Sequence, residues 1–262
     1  TTPEHIRAMK AALRVGAART RVSVPSAQKP KGIEERRIAT PMEACSALGA
    51  KISNGRFITL VEIVPPKGID AAKELGGGSL CQSAGIDAIN IPDSPRASAR
   101  MSNQALCLLM EQKAGIETIL HYTCRDRNVL GIQSDLLGAY ALGIRNLLCI
   151  TGDPPKMGNY PDATAVFDVD AIGLVNIVHN LNRGLDIGGN PIGNATRFVV
   201  AVGANPGADN IDEEIRRFEY KVEAGAGMVG TQPDFDRRLR EQFLNGNEHG
   251  RAAEPLRCRL AS

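Results

Sequence analysis

The stretch GAYALGIRNLLCITGDPP, residues 138–155, joins the end of a helix to an apolar strand and then to a polar loop. Its central run, IRNLLCIT, is nearly all apolar, which is typical of a strand buried between two layers of helices. Leu142 and Gly143 form the junction, because a glycine readily ends a helix and turns the chain. Gly152, Asp153 and two prolines then stop any regular continuation. The stretch predicts one helix–strand step of a parallel α/β sheet.

The same junction recurs along the chain, as AGID, AGIE, LGIR and AGAG at 84–87, 114–117, 142–145 and 224–227. Apolar strand candidates occupy residues 57–64, 86–91, 116–123, 144–151, 196–203 and 226–231. Helical patterns lie roughly at 70–84, 102–114, 128–142, 170–183, 211–224 and 236–245. This alternation of strand and helix predicts a parallel sheet covered by helices.

Two architectures fit such a sheet, the doubly wound fold and the (β/α)8 barrel of TIM-barrel type. The first strand is followed by PPKG (65–68) and lacks the G-x-G-x-x-G of the doubly wound class. Polar residues follow several strands, where a barrel places its site: Glu62, Asp93, His121, Asp153, Asn205 and Gln232. We therefore expect a barrel, of which only about six β/α units are recognisable.

Composition excludes several classes of protein. Apolar residues make up 43% and charged residues 23%, and the net charge is +2. The six cysteines are scattered without a C-x-x-C pair, which is typical of free thiols in a reducing compartment and indicates no metal site. No apolar run reaches the ~18 residues of a membrane span, and no signal peptide is recognisable. We expect a cytoplasmic protein with no membrane or nucleic-acid partner, and interpret the basic residues of 1–40 as a solvated linker.

Glu62 is the first candidate for chemistry. It interrupts the strand FITLVEIVPP in phase with Ile58 and Leu60, so it shares their face. A desolvated carboxyl holds its proton near neutral pH and suits a general acid. A structural ion pair inside the barrel explains the same residue equally well.

Other candidates have ordinary structural explanations beside the functional ones. Asp153 follows a glycine, which alone favours a turn, and His121 in LHYTC has the setting of a core histidine. Gln232 in GTQPDFD fits a helix cap as well as a ligand contact. In the helix IDEEIRRFEYKVEAG, an apolar stripe predicts the packed face (Ile211, Ile215, Phe218 and Val222). A second stripe about 100° away carries charge (Glu214, Arg217 and Lys221) and suits either solvent or a phosphate.

Six ordered motifs together resemble the methylenetetrahydrofolate reductase family: VEIVPPKG, DAINIPDSPRASARMS, LHYTCRDRN, CITGDPPKMG, VFDVD and KVEAGAGMVGTQPDFD. The similarity covers about residues 56–236. It implies a barrel that binds FAD without a dinucleotide-fold motif, and NADH or NADPH as the co-substrate. It also implies methylenetetrahydrofolate as the substrate and 5-methyltetrahydrofolate as the product.

The resemblance assigns roles residue by residue. Glu62 matches the family's general acid, which protonates N10 of the folate. Asp153 matches an aspartate beside flavin and pterin, and Gln232 a glutamine that binds the folate. The remaining matches are flavin contacts. The match of Phe167 follows a loop whose length differs from that of the family, and Glu214 and Arg217 differ in residue type from the family pattern. These contacts are His121, Thr151, Gly152, Asp153, Phe167, Glu214, Arg217 and Lys221.

The two ends suggest a domain order. Residues 1–40, opening with TTPEHIRAMK, resemble the tail and linker of a homocysteine S-methyltransferase domain, including a helix at 2–13. A second helix is expected from Thr40-Pro41 to Gly49, at the start of a barrel spanning 41–245, with an irregular tail at 246–262. We therefore expect a piece of a bifunctional protein, weakly active and self-associating through an open sheet edge. A barrel that only binds flavin is the alternative, whereas a methyltransferase lacks a zinc-binding cluster in this sequence.

Overall fold

The computed structural model describes residues 39–231, and within them a single parallel sheet forms the centre of the fold. Its strands are β1 (Leu60–Glu62), β2 (Ala88–Ile91), β3 (Thr118–Thr123), β4 (Asn146–Ile150), β5 (Val199–Ala204) and β6 (Met228–Thr231). Each lies inside the span that its sequence predicts, apart from the last residue of β5. The helix at 2–13, the helix at 236–245, the end segments of the predicted domain order and Gln232 lie outside the described residues.

The strands pair in chain order from β1 to β6, and every pair is parallel. A doubly wound sheet reverses its strand order at a switch point, whereas a barrel adds each new strand beside the last. The order within the described part is therefore that of a (β/α)8 barrel. The predicted fold class is confirmed, with a curled sheet of six strands.

Helices α2 to α6 each follow a strand and cover the outer face of the sheet, whereas α1 precedes β1. The helices are α1 (Ala47–Ser53), α2 (Ala72–Ser83), α3 (Asn103–Leu109), α4 (Val129–Ala141), α5 (Ala171–Leu181) and α6 (Ile211–Glu223). A π-helical turn at Met110–Ala114 extends α3, and short 3₁₀ turns lie at Met42–Ala44, Pro95–Ala97 and Pro155–Met157. None of the helices in the described range is long and apolar enough to cross a membrane.

The glycine in the repeated helix–strand junctions has a backbone cause. Gly115 and Gly143 have φ angles of +69° and +106°, in the left-handed region that favours glycine. In each case the N–H of the glycine donates to a carbonyl in the last turn of the helix, and the strand begins three residues later. Glycine therefore allows the chain to reverse from helix to strand within one tight turn.

The sheet has two apolar faces. On β3, Leu120 and Tyr122 point outward and pack with Ile132 and Leu136 of α4. Ile119, the residue before Leu120, points inward, into a smaller cluster inside the curl of the sheet. Burial on both faces explains why the strands read as near-continuous apolar runs.

Helix α1 closes the interior at the amino ends of the strands. Leu48 and Ile52 on this helix belong to the inner cluster, together with Ile58, Ala88, Ile119, Ala201 and Met228. The prediction of a helix from Thr40 to Gly49 was wrong, since α1 starts at Ala47 after a 3₁₀ turn. Ser46 supplies its cap, because the N–H of Gly49 donates to Ser46 Oγ over 2.9 Å.

Candidate active site

The carboxyl ends of the strands form the mouth of the barrel, and the last inward-facing positions of β1, β2, β3, β5 and β6 are small or polar. Glu62, Asn90 and His121 continue the faces that carry Leu60, Ala88 and Ile119 deeper in the interior. Gly203 and Gly230 occupy the matching positions on β5 and β6 and are register partners. These positions leave room at the mouth, where barrel enzymes bind their ligands.

Glu62 is the last residue of β1, and its side chain is exposed. Its neighbour in the sheet is Asn90, the register partner on β2. The carboxyl of Glu62 is therefore not buried by the described residues, although its expected role as a proton donor assumed burial. They do place the carboxylate at the mouth, open to a ligand.

His121 is the buried member of the group. Its Nε2 lies 3.2 Å from Asn90 Oδ1, and because an amide oxygen only accepts, a hydrogen bond between them requires the tautomer with the proton on Nε2. Burial lowers the pKa of His121 to about 4, so the imidazole is neutral near pH 7. The backbone carbonyl of the same residue accepts from Asn103 Nδ2 over 2.6 Å, which ties β3 to α3.

The end of β4 turns sharply at Gly152. Its φ is +95°, and a Cβ built there would lie 2.9 Å from Thr123 Cβ, so both conformation and space require glycine. Thr151 beside it accepts at Oγ1 from the N–H of Ala171, the first residue of α5. The side chain of Asp153 is exposed at the mouth.

The loop from β4 to α5 returns to the site at its far end. Phe167 has a φ of +43°, and its N–H donates to the carbonyl of Cys124 over 3.2 Å. Its ring is half-buried against the main core. Asp170 then caps α5 by accepting from the N–H groups of Ile172 and Gly173.

The charged stripe of α6 does not face open solvent. Lys221 is buried, and its Nζ donates to the carbonyl of Gly203 over 2.8 Å, at the end of β5. Glu214 Oε1 lies 3.9 Å from the same ammonium, and Arg217 pairs with Asp170 over 3.0 Å. Burial lowers the pKa of Lys221, although the nearby Glu214 carboxylate opposes that shift.

Opposing effects set the pKa of Asp170. Burial alone would raise it, but hydrogen bonds from the N–H of Gly173 and from Arg217 outweigh burial and hold the pKa below its ordinary value. The carboxylate therefore stays ionised as the partner of Arg217. The packed stripe is as predicted, with Phe218 buried and Ile211, Ile215 and Val222 against the core.

Predicted residues thus fall into neighbouring groups along one face. Glu62 and His121 lie on β1 and β3, the segment from Thr151 to Asp153 follows β4, and Lys221 reaches the end of β5. Three residues that the sequence did not single out also belong here: Asn90, Arg125 and Asp170. Asp170 had a usable signal, because an aspartate directly before an apolar helical pattern is a typical cap.

Residues 47–251 match the family described as methylenetetrahydrofolate reductase. The chain belongs to that family. A curated relative is methylenetetrahydrofolate reductase 1 of Schizosaccharomyces pombe, 27% identical over 123 residues, which are 46% of this chain and 19% of the relative. The 5,10-methylenetetrahydrofolate reductase of Pectobacterium carotovorum is 21% identical over 187 residues, 70% of this chain and 56% of that protein. The chain thus spans about a fifth to about half of the length of these reductases.

Solved structures add the fold alone. The crystal structure of oxaloacetate acetylhydrolase superposes with a TM-score of 0.54, covering 79% of this chain and 69% of that one. Only 9% of the residues are identical, so the likeness concerns the course of the chain and not its chemistry. For this member of the methylenetetrahydrofolate reductase family, the chemistry must be argued from the mouth residues.

Proposed function

We propose that the protein reduces 5,10-methylenetetrahydrofolate to 5-methyltetrahydrofolate, with NADH or NADPH as the electron donor and FAD as the cofactor. The family match over residues 47–251 carries this proposal. The carboxylates of Glu62 and Asp153 at one barrel mouth support it. We place the reaction in the one-carbon metabolism that feeds methionine synthesis.

The residues of the mouth fit FAD. Gly152 exposes backbone without a side chain at the end of β4, which lets a flat ring system approach closely. Lys221 provides a buried ammonium, and the carboxylate of Glu214, 3.9 Å away, balances its positive charge only in part. A phosphate would therefore stabilise it. When bound, FAD would supply hydride transfer between the nicotinamide and the folate.

The protein's own groups then handle charge and protons. Glu62 is exposed, and we propose that the bound folate covers it, which would favour the protonated carboxyl that N10 requires. Asp153 stabilises the positive charge of the folate iminium electrostatically. Neutral His121 and half-buried Phe167 contact the flavin, with Gln232 binding the folate.

The cofactor assignment has a direct test. Purified protein should be yellow, with flavin absorbance that is released to the supernatant on denaturation. Addition of FAD to the denatured and refolded protein should restore the colour. A folded, colourless protein that takes up no added FAD would contradict the assignment.

The role of Glu62 is tested by separating the two half-reactions. Glu62→Gln should leave flavin reduction by NADH or NADPH within about twofold of wild type while lowering folate reduction at least ~100-fold. Glu43→Gln is the matched control, because Glu43 is also exposed but precedes α1 at the opposite end of the barrel. Equal loss of both half-reactions in Glu62→Gln would refute the general-acid role.

A further inference from the structure

Arg125 lies two residues after the end of β3 and is buried, with 3% of its side chain exposed. Its guanidinium is fixed by a bidentate pair with Asp126, through Nε–Oδ1 at 2.8 Å and Nη2–Oδ2 at 2.7 Å. These hydrogen bonds raise the pKa of Arg125, so the group is a permanent cation. Two of its three nitrogens therefore bind Asp126, and Nη1 is left to contact the neighbouring loops.

Residue 125 touches both ends of the long loop between β4 and α5. Nη1 lies 3.4 Å from the carbonyl oxygen of Asp153, at the start of the loop. The backbone carbonyl of Arg125 accepts from the N–H of Val166 over 2.9 Å, near its end. Side chain and main chain of one residue thus hold the loop that carries Asp153 and Phe167.

The same Nη1 reaches a second loop, the one after β2. It lies 3.5 Å from the carbonyl oxygen of Ser94. Ser94, Arg96 and Ala97 all have positive φ, at 43°, 55° and 49°, which costs on the order of 1 kcal/mol or more for each non-glycine residue. Such a backbone persists only where neighbouring groups hold it in place.

The two loops are also interlocked. Gly158 lies so close to the carbonyl of Ala97 that a Cβ at this position would collide with it. The strained loop after β2 therefore supports the loop after β4, and Arg125 binds both. At 3.4 and 3.5 Å, each hydrogen bond from Nη1 is weak by its distance. The positive charge of the guanidinium strengthens both of them.

We propose that Arg125 is a positioning residue, which sets the place of Asp153 by joining the loops after β2, β3 and β4. The kinetic part of this inference rests on the proposed function, because it assumes that Asp153 acts in folate reduction. The structural part does not depend on the proposed function. Hydrogen exchange tests the structural part, and a double-mutant cycle tests the kinetic part.

Arg125→Lys is the decisive variant. It keeps the charge, but a single ammonium cannot hold Asp126 bidentately and still reach the carbonyls of Asp153 and Ser94. Arg145→Lys is the matched control. Arg145 also donates to main-chain carbonyls, those of Tyr140 and Ile144, but it precedes β4 at the opposite end of the barrel.

Amide hydrogen exchange tests the structural part on the whole chain. Arg125→Lys should speed exchange by roughly tenfold at the N–H of Val166 and Phe167 and in the loop after β2. Arg145→Lys should leave these amides unchanged. Wild-type exchange in Arg125→Lys, or the same acceleration in both variants, would overturn the proposal.

A double-mutant cycle tests the kinetic part. Arg125→Lys should lower kcat for folate reduction by on the order of 10–100-fold and leave the KM for NADH or NADPH unchanged. In an Asp153→Asn background, the same substitution should cost less than about threefold, because the positioned group is already gone. Additive losses would overturn the coupling to Asp153. If the wild type does not reduce folate at all, the proposed function fails, while the exchange experiment still decides the role of Arg125.

Discussion

His121 carries an acid-sensitive contribution to stability. Its folded pKa of about 4 is below the ordinary value of 6.5, so the unfolded chain binds more protons between these values. The free energy of unfolding is therefore unaffected above pH 6.5 and falls as the pH drops toward 4. The shift corresponds to a loss of about 2–3 kcal/mol between pH 7 and pH 4.5.

Urea unfolding at the two pH values checks this prediction. His121→Gln should remove the larger part of the loss, since glutamine retains a polar side chain without titrating. The quantity compared is the change in the free energy of unfolding between the two pH values in each protein. A cost of the substitution that is the same at both pH values therefore cancels. A variant that loses as much stability as wild type between pH 7 and pH 4.5 would contradict the prediction.

The sequence predicted a site residue where that residue belongs to a recognisable motif. It did not predict residues whose place in the site depends on a contact with a distant part of the chain. Glu62 and Asp153 stand in ordered motifs, so their place at strand ends was predicted. Asn90 reads as one polar residue in the apolar run AINI, because its partner His121 is 31 positions away. Arg125 contacts Asp153 across 28 positions, and no local spacing encodes that.

At the scale of elements, α2 contains three consecutive glycines with different surroundings. Gly76 is exposed, and a Cβ there would meet nothing within 4 Å. At Gly78, a Cβ would lie 2.5 Å from Met110 Sδ and 3.2 Å from Ala114 Cβ, against the π-helical turn. Gly76→Ala should therefore stabilise the protein by about 1 kcal/mol, whereas Gly78→Ala should destabilise it by about 1–3 kcal/mol. Each substitution is the control for the other in urea unfolding, and shifts of the same sign would refute the assignment.

Strands were predicted well because each is an apolar run, and a glycine junction directly precedes four of the six. The start of α1 was not, because Thr40-Pro41 and Ser46 offer competing local signals. A long-range contact decides between them, since the N–H of Leu48 donates to Glu117 Oε2, which is 69 positions away and 2.9 Å distant. The left-handed turn at Ser94 was not predicted either, because the residue there is a serine and not the glycine that usually marks such a turn.

At the scale of the whole described sheet, the proposed site and the apolar floor lie at opposite ends of the strands. On every strand of the described sheet except β4 the mouth carries small or polar side chains, whereas the floor is an apolar cluster closed by α1. This cluster joins residues from both edges of the sheet, Ile58 beside β1 and Met228 in β6. The sequence predicted the barrel from its alternating pattern, but not that the preceding helix forms its floor, because that depends on packing between distant segments.

Leu48 is the residue through which the floor can be tested. It is fully buried, and Leu48→Ala should lower the free energy of unfolding by about 2–4 kcal/mol through lost contacts and a residual cavity. Leu80→Ala is the matched control, because Leu80 on α2 is 71% exposed and its truncation should change stability by less than about 0.5 kcal/mol. Since the floor is remote from the mouth, FAD affinity of the folded Leu48→Ala protein should equal that of wild type. Equal stability of the two variants, or weaker FAD binding in folded Leu48→Ala, would show that floor and mouth are not separate.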